Sequence, residues 1–149
     1  MSYVPKYILK RVVPKDGLFN IDVSGDGNID GFAIKYVNVL TPIELPENMQ
    51  ADDLKDQFVG AWIDEEKYTL EQLNLHYNGK TYSLNDIDSL MGTTIPVGGI
   101  VYILANKSGG LHAGKHIIKL ATQYQGTENK YELKRDLYKD GKCQPLPEK

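Results

Sequence analysis

Along most of this chain, apolar residues recur at every second position, and helical spacing is rare. Phe19, Ile21 and Val23 alternate with polar neighbours, as in a strand with one buried face. Before them, residues 7–13 read as a strand, ended by Pro14 and the Asp16-Gly17 turn. Residues 31–40 carry Phe32, Ile34, Tyr36, Val37 and Val39 and suit a central strand. Residues 58–63 around Trp62, 73–77 around Leu73, Leu75 and Tyr77, then 99–104, 115–124 and 130–137, continue the pattern. Asn78-Gly79, after the 73–77 alternation, is the strongest short-range hairpin signal in the chain. Tyr68-Thr69-Leu70-Glu71-Gln72-Leu73 is echoed by Tyr82-Ser83-Leu84-Asn85-Asp86-Ile87, each with a hydroxyl residue three positions before Gln or Asp. That spacing is close to a capping box and predicts a single helical turn at each place. The expected fold is all-β: an antiparallel Ig-like or jelly-roll-type β-sandwich of about eight strands with one or two single-turn helices.

Two stretches break the alternation. Residues 41–57 hold two prolines, five acidic residues and only weak helical character. Connections longer than roughly 12–15 residues in a compact domain are usually functional or mobile. Residues 139–149 contain two prolines and little apolar content, and read as a flexible or partner-bound tail. The remainder, 1–138, reads as one sandwich domain, and 149 residues are enough to bury a core without disulfides.

Composition narrows the function classes. A net charge of −3 with interleaved signs gives no basic stripe, so nucleic acid is not an expected partner. The single cysteine, Cys143, leaves no internal disulfide and no cysteine-based zinc site. No apolar run approaches the roughly 20 residues of a membrane span, and the N-terminal residues lack secretion-signal character. Cytoplasmic residence without membrane attachment is the expectation.

Several groups invite a chemical reading. From Asp22 to Asp30, oxygen-bearing side chains fall where a calcium loop would place them, with Gly27 at the sixth position. The twelfth position is Ala33 instead of a bidentate Glu, and the flanks read as strands, so a Gly/Asp-rich hairpin is the better reading. His112 and His116 are four apart, but Gly109-Gly110 and Gly114 preclude the helix that would make them a metal pair. His116 reads instead as a structural corner, anchored by a backbone hydrogen bond where the chain enters a strand. His76 reads as half-exposed and structural. The carboxylate pairs Asp52-Asp53, Asp64-Glu65-Glu66 and Asp86/Asp88 fall in turns, where solvated charge explains them. There is no phosphate loop, nucleophile elbow or His-Glu zinc signature, so no catalytic residue, metal ligand or cofactor is expected in this chain.

The order of turns from Gly31 onward resembles the small (beta) subunit of bacterial C-glycoside deglycosidases and related uncharacterised cytoplasmic domain proteins. The pieces that carry it are Asp30-Gly31-Phe32, a loop at 41–45, Ile63-Asp64-Glu65-Glu66-Lys67 in place of a Val-Asp-Gly-Glu hairpin, and Tyr77-Asn78-Gly79-Lys80-Thr81-Tyr82-Ser83-Leu84. Gly109-Gly110-Leu111-His112-Ala113-Gly114-Lys115-His116 is the most distinctive. Asn38-Val39 stands where the family pattern has Arg-Gly, and Thr94-Ile95-Pro96-Val97 where it has a Trp. The resemblance implies a non-catalytic subunit of a carbon–carbon lyase. Its partner would be a TIM-barrel (alpha) subunit holding a divalent metal, Mn or Mg, and the acid/base residues. The hetero-oligomer would cleave the C–C bond of 3-oxo-C-glycosides of the flavonoid type. Partner contacts would come from Thr41, Pro42, Ile43, Leu45, Pro46 and Met49, from Ile95, Pro96 and Val97, and from the tail. Two other readings stand beside it: a stand-alone carbohydrate-binding sandwich using aromatics such as Trp62 or Tyr36, and a non-enzymatic structural adaptor.

Overall fold

The structure, a computed structural model, describes residues 2–3, 10–22, 24–39, 42–45, 47, 58–83, 87–124, 127–138 and 143–144. Among them are twelve strands: β1 (Ser2–Tyr3), β2 (Leu18–Ile21), β3 (Gly31–Val37), β4 (Ile43–Glu44), β5 (Phe58–Ile63), β6 (Glu66–Tyr68), β7 (Leu73–Tyr77), β8 (Lys80–Tyr82), β9 (Thr94–Ile95), β10 (Ile100–Asn106), β11 (Lys115–Tyr124) and β12 (Thr127–Asp136). One five-stranded sheet, the first sheet, runs β1-β12-β11-β5-β6, and the second runs β2-β3-β10-β7-β8. β4 and β9 form a separate two-stranded ladder. All pairings are antiparallel except β1 with β12, which is parallel. The all-β sandwich expected from the alternation is the fold observed.

Period-two patterning explains the core. Phe32 and Ile34 of β3 and Ile103 of β10 meet Ala61 and Ile63 of β5, Ile118 and Leu120 of β11, and Tyr131 of β12 in one cluster between the sheets. Phe32 and Tyr68 pack edge to face at 5.4 Å. Full burial of each large aliphatic side chain contributes about 1.5–3 kcal/mol, so this cluster dominates the drive to fold. The Asn78-Gly79 turn joins β7 to β8 as expected, with Asn78 at φ 55°. A 3₁₀ turn at Leu70–Gln72 carries the capping box, Gln72 Oε1 accepting from the Thr69 N–H at 2.8 Å. The second single turn, Ile87–Leu90, begins later than its echo suggested.

Two expectations need correction. Residues 10–12 are helical, not the end of a strand. Val12 and Val13 are both buried in the core, and consecutive residues of a strand would point to opposite faces. β2 is buried on both faces, although its pattern suggested one. Phe19, Ile21, Ala33 and Leu104 form a second apolar cluster on the outer side of the second sheet, with Tyr102 and Tyr138 against it. Of the expected tail, residues 143–144 are described, and there the Gln144 N–H donates to the Asn20 carbonyl at 2.9 Å, along the edge strand β2.

Candidate partner interface

One end of the sandwich gathers several of the candidate contact residues. In the β4–β9 ladder Ile43 lies opposite Ile95 and Glu44 opposite Thr94. The Leu45 N–H donates to the Thr93 carbonyl at 3.0 Å, and the Gly92 N–H to the Leu45 carbonyl at 2.6 Å. Residues 43–45 and the approach to β10, separate in sequence, are therefore paired with each other. Pro96 to Gly99 form a turn closed by the Gly99 N–H on the Pro96 carbonyl at 2.9 Å. Gly98, the third residue, has φ 91°, as a type II turn requires. Val97 sits at the apex, 54% exposed, next to exposed Pro96. Pro42 is exposed and Leu45 half-buried nearby in sequence to the ladder. Ile95 differs from these: it is 5% exposed, so its side chain belongs to the fold. Thr41, Pro46 and Met49 lie outside the described residues, and of Ile43 only the strand placement is described.

The residue that holds this tip is Asn38, which the sequence reading missed. It is buried, at 4% exposure. Its side-chain amide donates to the carbonyls of Ile95 at 3.1 Å and Pro96 at 3.2 Å. Its backbone N–H donates to Gly99 at 2.9 Å, and its carbonyl accepts from Gly98 at 2.7 Å. One side chain thus supplies donors to two successive carbonyls where β9 ends and the turn begins. Alongside, a groove of about 300 Å³ runs between the Asn78-Gly79 turn and Gly98-Gly99, with His76 and Tyr102 in its wall. His76 is buried, not half-exposed: its Nδ1 pairs with Thr81 Oγ1 at 2.8 Å and its ring meets Tyr102 edge-on at 6.0 Å.

The opposite end carries the motif residues that suggested chemistry. His116 is 1% exposed. Its Nε2 meets the His112 carbonyl at 2.8 Å and its Nδ1 the Asp64 carboxylate at 2.5 Å. Asp64 also accepts from the Ile117 N–H at 2.9 Å and returns its own N–H to the Ile117 carbonyl at 3.0 Å. Burial would raise the Asp64 carboxyl, but the Ile117 N–H and the bond and charge of His116 outweigh it and hold the group below its usual value. Both ring nitrogens of His116 are thus engaged, one by a carboxylate and one by a backbone carbonyl. The arrangement ties the β5–β6 turn to the start of β11. No approach to either ring nitrogen is left for a metal or substrate.

The Gly-Gly-Leu element has an equally structural explanation. Asn20, on β2, donates from Nδ2 to the Leu111 carbonyl at 2.9 Å and accepts the Leu111 N–H at 2.8 Å. Gly110 lies so close that a Cβ there would come within 2.5 Å of Asn20 Oδ1, and its φ is 68°. Only glycine meets both conditions. In the loop before β3, carboxylate oxygens of Asp22, Asp26 and Asp30 converge within 4.8 Å of one another. They accept from the loop's own backbone: Asp22 from Gly25 at 2.8 Å and Gly27 at 2.6 Å, Asp26 from Asn28 at 2.9 Å, and Asp30 from Ser24 at 3.1 Å. Such bonds shape the end of the hairpin.

Of the aromatics considered for ligand stacking, Tyr36 points inward. Its ring packs against Tyr131 at 6.5 Å, and burial, then the Tyr131 hydroxyl, pushes its own hydroxyl well up from its usual value. Trp62 faces out and is half-buried, with the Lys67 ammonium 5.3 Å from its ring centroid.

No curated protein matches the sequence. Residues 57–127, from β5 through the Asn78-Gly79 turn and the Gly-Gly-Leu element to the first residue of β12, match the model of the C-glycoside deglycosidase beta subunit family, the family its turn motifs resemble.

Proposed function

We propose that this chain is the accessory subunit of a heteromeric C-glycoside deglycosidase and that catalysis takes place in its partner. The observation that carries this reading is the family match over residues 57–127, which contains the turns that build the sandwich. The partner is a TIM-barrel subunit holding a divalent metal, Mn or Mg, and the acid/base residues. Its substrate is a 3-oxo-C-glycoside of the flavonoid type. Oxidation at the sugar C3 makes the adjacent proton acidic, so a general base opens an elimination route across the C–C bond to the aglycone. This chain stabilises the barrel and walls the approach to its site. The exposed apolar tip at Pro96 and Val97, held rigid by Asn38, supports docking through that end. A pre-shaped loop loses little conformational freedom on binding.

Co-expression with a barrel subunit tests the proposal. The two chains are expected to co-purify, and only the pair should release aglycone from a 3-oxo-C-glucoside. Val97→Asp, on an exposed turn, should leave the thermal midpoint of the isolated chain unchanged and weaken the complex at least about tenfold, since a charge replaces a buried apolar contact. A barrel subunit that is equally stable and active without this chain would overturn the reading.

A further inference from the structure

The outer face of the first sheet carries a groove of about 350 Å³ whose wall includes Trp62, Glu65, Lys119, Lys130 and Glu132. It lies in the size range of small-ligand clefts. Register explains why these residues meet. Lys119 pairs with Trp62 of β5 on one side and with Glu132 of β12 on the other, so the three stand in one outward row across neighbouring strands. The adjacent row is Gly60, Ala121 and Lys130. Ala121 lines the groove between Lys119 and Lys130, while the space over Gly60 is taken by the Lys67 stem and the edge of the indole. Lys67, directly opposite Trp62 on β6, sits over the ring but is not part of the groove wall.

Glu65 supplies a second, independent observation. It has φ 76° in the two-residue Asp64-Glu65 turn, and Asp64 before it has φ 51°. A left-handed conformation at a residue with a Cβ is costly, and glycine is the ordinary solution in this turn type. The turn resembles one whose second residue is Gly, yet here that position is a glutamate in the groove wall. Strain of this kind persists where the side chain serves a site.

We propose that this groove binds a saccharide ring, stacked on Trp62, with Glu65 and Glu132 accepting from ring hydroxyls and Lys119 and Lys130 donating to them. The chemistry favours this class. A pyranose presents an apolar C–H face to an aromatic platform and hydroxyls at its rim, each of them both donor and acceptor. Carboxylates and ammonium groups interleaved around one aromatic serve such a neutral polyol. With two carboxylates and two ammonium groups, the wall offers no net charge that would favour an ion over a neutral ligand. The Lys119–Glu132 contact, 3.4 Å between half-exposed groups, is weak enough for hydroxyls to displace. The site goes beyond the subunit role and does not depend on it.

Trp62 is the only tryptophan, so its emission reports on the groove alone. Titrating the full chain with methyl β-glucopyranoside and methyl β-galactopyranoside should give a saturable change in emission at millimolar concentrations for at least one of them. Sodium benzoate should give none. Calorimetry should show the saccharide signal lost in Trp62→Ala. Glu65→Gly separates binding from folding: it should weaken the saccharide about tenfold, the loss of one charge-assisted hydrogen bond, while raising the melting temperature by about 3 °C as the strain is relieved. No saturable response to either saccharide, a response to benzoate alone, or unchanged saccharide affinity in Glu65→Gly would each overturn the assignment. None of these results would bear on the association with a barrel subunit.

Discussion

At the scale of single residues, two asparagines hold the structure where strands end. Asn20 acts as a surrogate backbone for Leu111, 91 positions away, and Asn38 holds Ile95, 57 positions away. Replacing Asn20 with Ala would leave a buried N–H and a buried carbonyl without partners, each costing about 1–3 kcal/mol. Asn20→Ala is therefore expected to lower stability by about 3 kcal/mol and the melting temperature by roughly 10 °C, measurable by calorimetry. In the sequence both residues looked like the polar half of an alternation. Nothing local distinguishes an Asn that faces solvent from one whose amide meets a distant loop. For His116 the neighbouring glycines marked a turn in the sequence, but nothing local pointed to the Asp64 side of its hydrogen bonding.

At the scale of elements, legibility followed the locality of the signal. The β7–β8 hairpin was readable because Asn78-Gly79 encodes its own turn. The same holds for the 3₁₀ turn at Leu70–Gln72, whose capping box lies within Thr69 to Gln72. Residues 10–12 were misread because β-branched valines favour strands by propensity, whereas packing decides which way they point. The β4–β9 ladder was not readable at all, since two-residue strands carry no period. Its dependence on Asn38 gives an element-level test. Asn38→Ala should loosen the 95–99 turn, leaving it only the backbone bonds to residue 38, while keeping the Asn20–Leu111 end intact. Hydrogen exchange of the Gly98 and Gly99 amides should rise selectively, and affinity for a barrel partner should fall. Uniform exchange changes along the chain would instead point to global destabilisation.

For the whole molecule, acid sensitivity follows from where the carboxylates sit. Asp26, Asp64 and Glu66 all have carboxyls held below their usual values. In Asp26 the Asn28 N–H is the main cause; in Glu66 it is the Tyr68 hydroxyl, followed by Lys107. In each, the unfolded chain binds the proton more readily than the folded one. Their contribution is complete above the unfolded value of about 4 and is lost as pH falls through the lower folded value. The melting temperature should therefore decline below about pH 4, and Asp64→Asn should flatten that decline. A decline equally steep in Asp64→Asn would exclude Asp64 as a contributor. Lys107, bonded to Glu66 at 3.4 Å, spans the two sheets at this end, so protonation there also loosens the contact between layers.

The strand order of the sandwich has a consequence for how it can meet other chains. Its outermost strands are poor templates for further pairing. β6 and β8 are three residues each, with exposed Glu66, Lys67 and Lys80 along them; β1 is two residues; and β2 is overlaid by Gln144. Short, charged or covered margins discourage edge-to-edge growth into ribbons. Association by adding a strand is correspondingly disfavoured, which leaves the loop-borne tip and the broad sheet face as the routes to recognition. A protein built this way can remain adhesive at one end without becoming a seed for polymerisation.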